Sequence, residues 1–479
     1  MLLSALIPHL GDVQVHGPTD RHIARVTHDS RAAGRDDLFV AIRGMRVDAR
    51  DFVPGLSVAA VIADGEVRCA EGVTLLQVPD ARQALARAAA AVAGFPGAKL
   101  PTVGLTGTNG KTTVSWMLES IAACAGVVPG VIGTTGHRIG DRRVPAKHTT
   151  PEAPRIQSLL QEMVQAGCGL AIMEVSSIAL SMFRADGIPF RVAVFTNLSR
   201  DHLDFHPDME AYLQAKARLF HSLLAPDGTA VLCADDPASE RIDTGERTRW
   251  TYGRDPDATF SIRAVDETLT GSRVGIQTPD GPAELQVKLL GAHNIANAVA
   301  ALATGRALGM DLSACTAGIA ALQRVPGRLE PVPNDHGITV LVDYAHTPEA
   351  LRTVLSSLSR LQPGRVLTVM GCGGDRDPGK RSGMGAAASG GSHKVFLTSD
   401  NPRSEDPMAI IEQILDGVDG SHVVLPDRAA AIQAAISEAE AGDVVLIAGK
   451  GHEKTQITGS EVAGFDDVAV AAAALGRRP

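Results

Sequence analysis

Eight residues, Thr106-Gly107-Thr108-Asn109-Gly110-Lys111-Thr112-Thr113, join the apolar run Thr102 to Thr106 to a helical pattern, Thr113 to Cys124. Strand, glycine-bearing turn and helix in that order constrain the fold more than any other stretch. The turn's amides and the positive helix end together make a phosphate cradle. The glycines let backbone approach an anion, Lys111 adds positive charge, and Thr112 offers a hydroxyl to magnesium. The general phosphate-loop spacing calls for glycine at position 105, which is Leu105 here. Taken alone, a plain glycine-rich turn remains the competing reading.

The rest of the chain shows what surrounds such a loop. Its 479 residues exceed one ordinary core, and at roughly 150 residues per domain they imply about three. Hydrophobic residues at 44% and charged residues at 21% are the balance of a folded protein. A net charge of -9 gives no general attraction to nucleic acid or to an anionic membrane, so any anionic ligand must be held by local positive groups. The six cysteines are scattered, with no C-x-x-C pair, and read as reduced thiols of a cytoplasmic protein. No signal peptide and no membrane span are expected.

Short apolar runs at Asp37 to Ile42, Val58 to Ala63 and Val73 to Val78 read as strands, and Asp80 to Gly94 reads as a helix capped by Asp80. A linker follows at residues 95–101. Then Thr102 to Thr106, Leu170 to Val175, Val192 to Asn197 and Thr229 to Ala234 are buried-type strands, with helical patterns between most of them. That rhythm predicts a parallel sheet covered on both faces. Antiparallel strands are expected over residues 260–290 and a helix from Asn294 to Leu308. A second break falls in residues 323–337, before the strands Thr339 to Asp343, Arg365 to Met370, Lys394 to Ser399 and Val444 to Ala448. The expected class is α/β with three domains: a small mixed domain (1–98), a central phosphate-loop ATPase domain with a parallel sheet (99–330), and a doubly wound, Rossmann-like domain (331–479).

Ligands of open α/β sheets bind beyond the carboxyl ends of the strands, and these ends are unusually polar. Glu174-Val175-Ser176-Ser177 puts a carboxylate at one strand end, where a helix cap or ion-pair partner competes with a metal role. Residues 196–206 then hold Asp201, His202, Asp204 and His206 just past a buried strand, a density hard to explain by packing. Lys216 sits in the third turn of a helical stretch beginning at Met209, and its spacing alone reads as a solvated surface lysine. In the last domain four loops follow apolar runs, at residues 343–348, 371–377, 400–403 and 449–453. Together they predict one polar rim facing a ligand.

These motifs resemble those of the Mur ligases of peptidoglycan precursor synthesis. In that family the short loop Gly107 to Thr112 is the characteristic form, so Leu105 becomes support. LLGAHNIANA (Leu289 to Ala298), VPGRLE (Val325 to Glu330), VDYAHTPEAL, GCGGDRDPGKR and AGKGHE are similarly specific. The resemblance runs over nearly the whole chain and is strongest from Gly104 onward.

The resemblance implies an ATP- and Mg2+-dependent ligase that activates a carboxylate as an acyl phosphate for attack by an amine. Lys111, Lys216 and His202 are its implied catalytic residues. Gly107, Thr108, Asn109, Gly110, Lys111, Thr112, Thr113, His293, Asn294, Arg328, Asp343 and His346 would bind the nucleotide. Thr112, Glu174 and His202 would ligate magnesium, as would Lys216 carried as a carbamate (N6-carboxylysine). Here the surface-lysine reading and the resemblance part company.

UDP-N-acetylmuramoyl-dipeptide is the implied carboxylate substrate, held by His28, Ser30, Met45, Arg46, Val47, Thr149, Thr150, Ser176 and Arg184. The sequence Asp400-Asn401-Pro402-Arg403, with Arg376, Gly449 and Glu453, implies meso-diaminopimelate as the amine, its distal carboxylate on Arg403 and its ammonium on Glu453. Ile178, Met182 and Phe183 depart from the family's usual pattern, as does Asp48-Ala49-Arg50. A cytoplasmic monomer is expected. A folylpolyglutamate synthase-like ligase and a phosphate-loop binding module without ligation are the competing readings.

Overall fold

The buried apolar runs become strands in a computed structural model, which describes residues 1–44, 47–268 and 270–477. Met45 and Arg46, both expected at the uridine site, lie outside the described residues. The chain divides into two units, residues 1–262, 277–281 and 297–319 in the first and residues 263–276, 282–296 and 320–479 in the second.

The first unit begins with five strands, β1 (Gln14–His16), β2 (Arg25–Thr27), β3 (Asp37–Ala41), β4 (Ala60–Ala63) and β5 (Thr74–Gln77), in the order β1-β5-β4-β3-β2. All pairs are parallel except β1 with β5. β1 and β2 escape sequence reading because three residues carry no measurable alternation. The helix Ala81–Val92 is capped as expected, the Asp80 carboxylate accepting from the amides of Arg82 and Gln83. Its alanine face packs on Leu38, Val40, Ile62 and Leu76.

The central sheet of this unit contains β6 (Thr102–Thr106), β7 (Pro129–Ile132), β8 (His137–Ile139), β9 (Arg142–Val144), β10 (Leu170–Glu174), β11 (Phe190–Phe195), β12 (Leu224–Cys233) and β13 (Thr248–Gly253). Their order is β13-β12-β11-β6-β10-β7-β8-β9. Strands β13 to β7 run parallel, and β8 and β9 turn back antiparallel. β12 begins five residues before its expected start, because Leu224 pairs with Phe190 and the Pro-Asp-Gly stretch is absorbed as an irregularity in the ladder. The expected strands of residues 260–290 are β14 (Phe260–Thr268), β15 (Gly271–Thr278) and β16 (Gly281–Val287). The expected helix after them runs from Ala292 to Ala307.

The second unit contains β17 (Glu330–Pro331), β18 (Thr339–Asp343), β19 (Val366–Met370), β20 (Lys394–Leu397), β21 (His422–Val424) and β22 (Val444–Ala448), in the order β17-β18-β22-β19-β20-β21. Only the β17–β18 pair is antiparallel. One face is covered by Leu351, Leu355, Met384 and Ile411, the other by Ile432, Ile436 and Leu475. The fully buried pair of Arg428 and Asp467, joined by hydrogen bonds of 2.8 and 2.7 Å, ties the helices Arg428–Glu438 and Asp467–Leu475 together.

Candidate active site

In the first unit the central strands run parallel, so the ends of β6, β10, β11 and β7 open on one edge. The helix Lys111–Cys124 starts there with Gly110 as its N-cap, a residue with no side chain to cover the helix end, the arrangement an anion needs. Gly107 has φ +141°, and a Cβ there would collide with the Thr196 hydroxyl. Glycine is therefore dictated by close packing of the loop on β11. Thr196 and Asn197 hold the loop from outside. The Thr196 hydroxyl donates to Asn109 O at 2.5 Å, and Asn197 Oδ1 accepts from the Asn109 amide at 3.0 Å. Lys111 Nζ lies inside the loop, donating to the carbonyls of Gly107 (2.6 Å) and Thr108 (2.9 Å).

Glu174, at the end of β10, is completely buried. Oε2 accepts from the hydroxyls of Thr112 (2.9 Å) and Thr134 (2.8 Å), and Oε1 from the Thr134 amide (3.1 Å). Thr134 continues to Thr149, hydroxyl to hydroxyl at 3.0 Å, and the Glu174 carbonyl accepts from Thr150 at 2.8 Å. Thr150 in turn accepts from the Ser176 amide at 3.1 Å. Arg184 donates to Thr150 O (3.1 Å), pairs with Glu152 (2.6 Å), and meets the Met182 sulfur at 3.5 Å. Burial chiefly holds His28 below the usual imidazole range, with Glu152 opposing. Ser30 opens a short turn capped by Asp29, and Val47 is exposed. Thus Thr112, Glu174, Thr149, Thr150, Ser176 and Arg184, read separately from the sequence, form one bonded network. Thr134, which joins its parts, and Glu152, which pairs with Arg184 at its end, are not legible in the sequence.

The hydroxyl and carboxylate oxygens of Thr112 and Glu174 are hard donors 2.9 Å apart, the spacing of adjacent ligands around magnesium bound at about 2.1 Å. They fit that ion. Among the described residues no three His, Cys, Asp or Glu side chains converge as a metal cluster. His202 has φ +54°, and burial mainly depresses its pKa, with Lys111 and Lys216 adding to the shift and Asp201 opposing it.

The surface-lysine reading of Lys216 is wrong. Its helix, Met209–Arg218, turns that face inward, and Lys216 is 1% exposed, its Nζ 4.2 Å from the centre of the Tyr212 ring. The Tyr212 hydroxyl reaches Thr108 of the phosphate loop at 3.1 Å. Burial, and then Lys111, push the Lys216 amine well below its ordinary pKa, against a smaller pull from Asp201. No ion pair to Lys216 occurs among the described residues. The spacing of Tyr212 and Lys216, four apart on one helix face, was a signal for this cluster.

In the second unit the expected rim forms, because β18, β22, β19 and β20 are parallel neighbours. The Gly374 amide donates to Asn401 O at 2.9 Å, and Arg403 Nη1 donates to Gly374 O at 2.6 Å. Arg403, with φ +51°, is held from the other side as its amide donates to Ile457 O at 3.0 Å. Asn401 Nδ2 donates to Glu453 Oε2 at 2.8 Å. Gly449 packs against Asp400, Pro402 is buried, and Arg376 is exposed. Lys450, passed over in the sequence, lies beneath this group.

Of the residues expected to contact the nucleotide, Arg328, Asp343 and His346 lie close together in this unit. Both Asp343 oxygens accept backbone amides, from Leu329 (2.7 Å) and Ala345 (2.8 Å), and burial raises its pKa. The Arg328 guanidinium lies 4.9 Å from the Tyr344 ring, which packs on His346 and His452. His293 Nδ1, Arg328 Nε and His452 Nδ1 are buried without a hydrogen-bond partner among the described residues. Asn294 is fully buried and donates to Leu290 O at 2.8 Å.

A family model for the Mur ligase middle domain matches residues 105–305, and one for the Mur ligase glutamate ligase domain matches residues 327–451. The chain is 42% identical, over 99% of both chains, to the UDP-N-acetylmuramoyl-L-alanyl-D-glutamate--2,6-diaminopimelate ligase of Geobacter sulfurreducens. A solved structure of a ligase with that description matches with a TM-score of 0.73 and 33% identity, over 99% of each chain. A folylpolyglutamate synthase of Mycobacterium tuberculosis, solved with ADP and AMPPCP, shares the fold at 21% identity and a TM-score of 0.65, over 82% of this chain and 95% of that one. No helix among the described residues is long and apolar enough to cross a membrane.

Proposed function

Since the chain belongs to the Mur ligase family, we propose that it adds meso-2,6-diaminopimelate to the D-glutamate carboxylate of UDP-N-acetylmuramoyl-L-alanyl-D-glutamate, using ATP, in cytoplasmic peptidoglycan precursor synthesis. Residues 1–98 would hold the uridine end, residues 99–330 the phosphates and the reacting carboxylate, and residues 331–479 the amino acid. The supporting observation is the Glu174 network, which bonds the phosphate-loop residue Thr112 to Thr149, Thr150 and Ser176. A phosphate donor and a carboxylate acceptor bound at its two ends would be held for in-line transfer.

Phosphorylation turns an inert carboxylate into an acyl phosphate. The amine adds to its carbonyl carbon, and the tetrahedral adduct collapses to amide and phosphate. The reaction asks mainly for positioning and for stabilisation of moving negative charge. Lys111 and the first amides of the helix Lys111–Cys124 supply that positive field. Magnesium, with Thr112, Glu174 and His202 as its ligands, would neutralise phosphate charge.

Lys216 is suited to carbamylation because burial favours its neutral amine. The nitrogen lone pair adds to carbon dioxide, one N–C bond forms and one proton leaves to solvent. The carbamate is an anion where the amine was a cation, and would help hold a second magnesium.

In the second unit His293, Asn294, Arg328, Asp343 and His346 form the proposed nucleotide contacts. Arg403 with Arg376 would take the distal carboxylate of diaminopimelate, and Glu453 its ammonium. The test is ATP-dependent phosphate release by the purified protein with the UDP-muramoyl-dipeptide and each candidate amino acid. Turnover that requires both the dipeptide and diaminopimelate is expected; equal turnover with L-lysine or L-glutamate overturns the assignment.

A further inference from the structure

Lys450 is fully buried, yet it comes from a loop between two glycines. Gly449 (φ +113°) and Gly451 (φ +53°) turn the chain so that the lysine doubles back beneath its own loop. A Cβ at Gly451 would press on the Tyr344 backbone at 2.9 Å, so the turn has no room for another residue. The ammonium donates to Thr455 O (2.7 Å), Asn401 Oδ1 (3.1 Å) and Asp400 Oδ1 (3.4 Å), and stands 3.6 Å from Glu453 Oε2.

These contacts fix more than the lysine. Asn401 Oδ1 also accepts from the Ile457 amide at 3.0 Å. An ammonium and a backbone N–H are donors only, so the carboxamide oxygen must face them. Nδ2 is thereby turned toward Glu453 Oε2, 2.8 Å away. That bond occupies one oxygen of the carboxylate; Glu453 Oε1 has no hydrogen bond among the described residues. Without the cation, the Asp400 and Glu453 carboxylates would lose their nearest positive charge, leaving the more distant Arg428 guanidinium, and the Asn401 oxygen would lose one of the two donors that set its orientation.

We propose that Lys450 is a positioning residue of the amino-acid site: through Asn401 it aims the second oxygen of Glu453 at the ligand's distal ammonium, and it leaves one carboxylate uncompensated there. It touches no substrate. This rests on the amino-acid assignment made above, and deepens it by naming what makes Glu453 selective for an ammonium.

The test compares diaminopimelate with 2-aminopimelate, which lacks the distal ammonium, in the full-length wild type, Lys450→Met and Lys450→Gln. Gln keeps a donor for Thr455 O or Asn401 Oδ1 while removing the charge, so it serves if Met does not fold. Expected for either variant is a rise of about tenfold in KM for diaminopimelate. The wild-type preference for diaminopimelate over 2-aminopimelate should fall by a similar factor, with kcat and the KM for ATP within about twofold. A preference unchanged from wild type, whether KM is normal or all substrates suffer equally, overturns the proposal. Wild-type protein that does not turn over diaminopimelate overturns the assignment beneath it instead.

Discussion

The Thr112 hydroxyl donates to the Glu174 carboxylate across 2.9 Å, joining the first turn of the phosphate-loop helix to the end of the neighbouring strand. Glu174 accepts three donors and offers none. In Glu174→Gln an amide NH2 must face one of those donors, so both the anion and its geometry are lost. We expect kcat to fall at least about a hundredfold, with the KM for the UDP substrate within a few-fold, measured by phosphate release. A loss under threefold would exclude Glu174 from the reaction.

Lys216 sets function against stability. Its buried amine has no ion-pair partner among the described residues, and Lys216→Met replaces it with an apolar chain of similar length. The variant should melt a few degrees higher, on the order of 1 kcal/mol more stable, and lose at least about a hundredfold in kcat. Calorimetry and turnover on the same sample check both. An active, destabilised variant would contradict the reading.

Acid should weaken the second unit through two histidines. Burial, helped by Arg328, lowers the pKa of both His293 and His452 to about 4. Unfolded histidines take up protons near pH 6.5, while the folded ones stay neutral until about pH 4. Their stabilisation is therefore complete above pH 6.5 and is lost as pH falls toward 4, on the order of 3 kcal/mol for each histidine. Melting curves from pH 7.5 to 4.5 should show this slope, and His293→Gln with His452→Gln should flatten it. An equal slope in the double variant would refute the assignment.

On the proposed assignment Arg403 would have two tasks. Nη1 is committed to Gly374 O, which locks two loops, and the rest of the guanidinium is left for a carboxylate. A lysine cannot do both. Arg403→Ala and Arg403→Lys should each cost at least about a hundredfold in kcat/KM for diaminopimelate. Near-normal turnover by either variant would remove the arginine from recognition.

The sequence made the strand-end chemistry legible because buried parallel strands are continuous apolar runs and their polar ends stand out. The phosphate loop, Glu174 and the Asp400 to Arg403 loop could be located that way. What stayed hidden depended on contacts between distant segments. Thr134 sits in a Gly-Thr-Thr-Gly turn like any other, and only the pairing of β7 beside β10 brings it to Glu174. Lys216 looked solvated because a helical period shows which residues share a face, not whether that face is covered. Lys450 lay inside a motif already singled out, its importance set by Asn401 some fifty residues earlier.

Strand β22 lies between β18 and β19, yet of the six strands in that sheet it is the last in the chain. During synthesis, β18 through β21 emerge before the strand that fills the gap between β18 and β19. The pair of Arg428 and Asp467 needs a segment that emerges later still. The middle of this sheet is thus filled last, after the strands on both sides of the gap have been made. A chain stopped before β22 would leave β18 and β19 without the strand that joins them, so the proposed amino-acid site would not form.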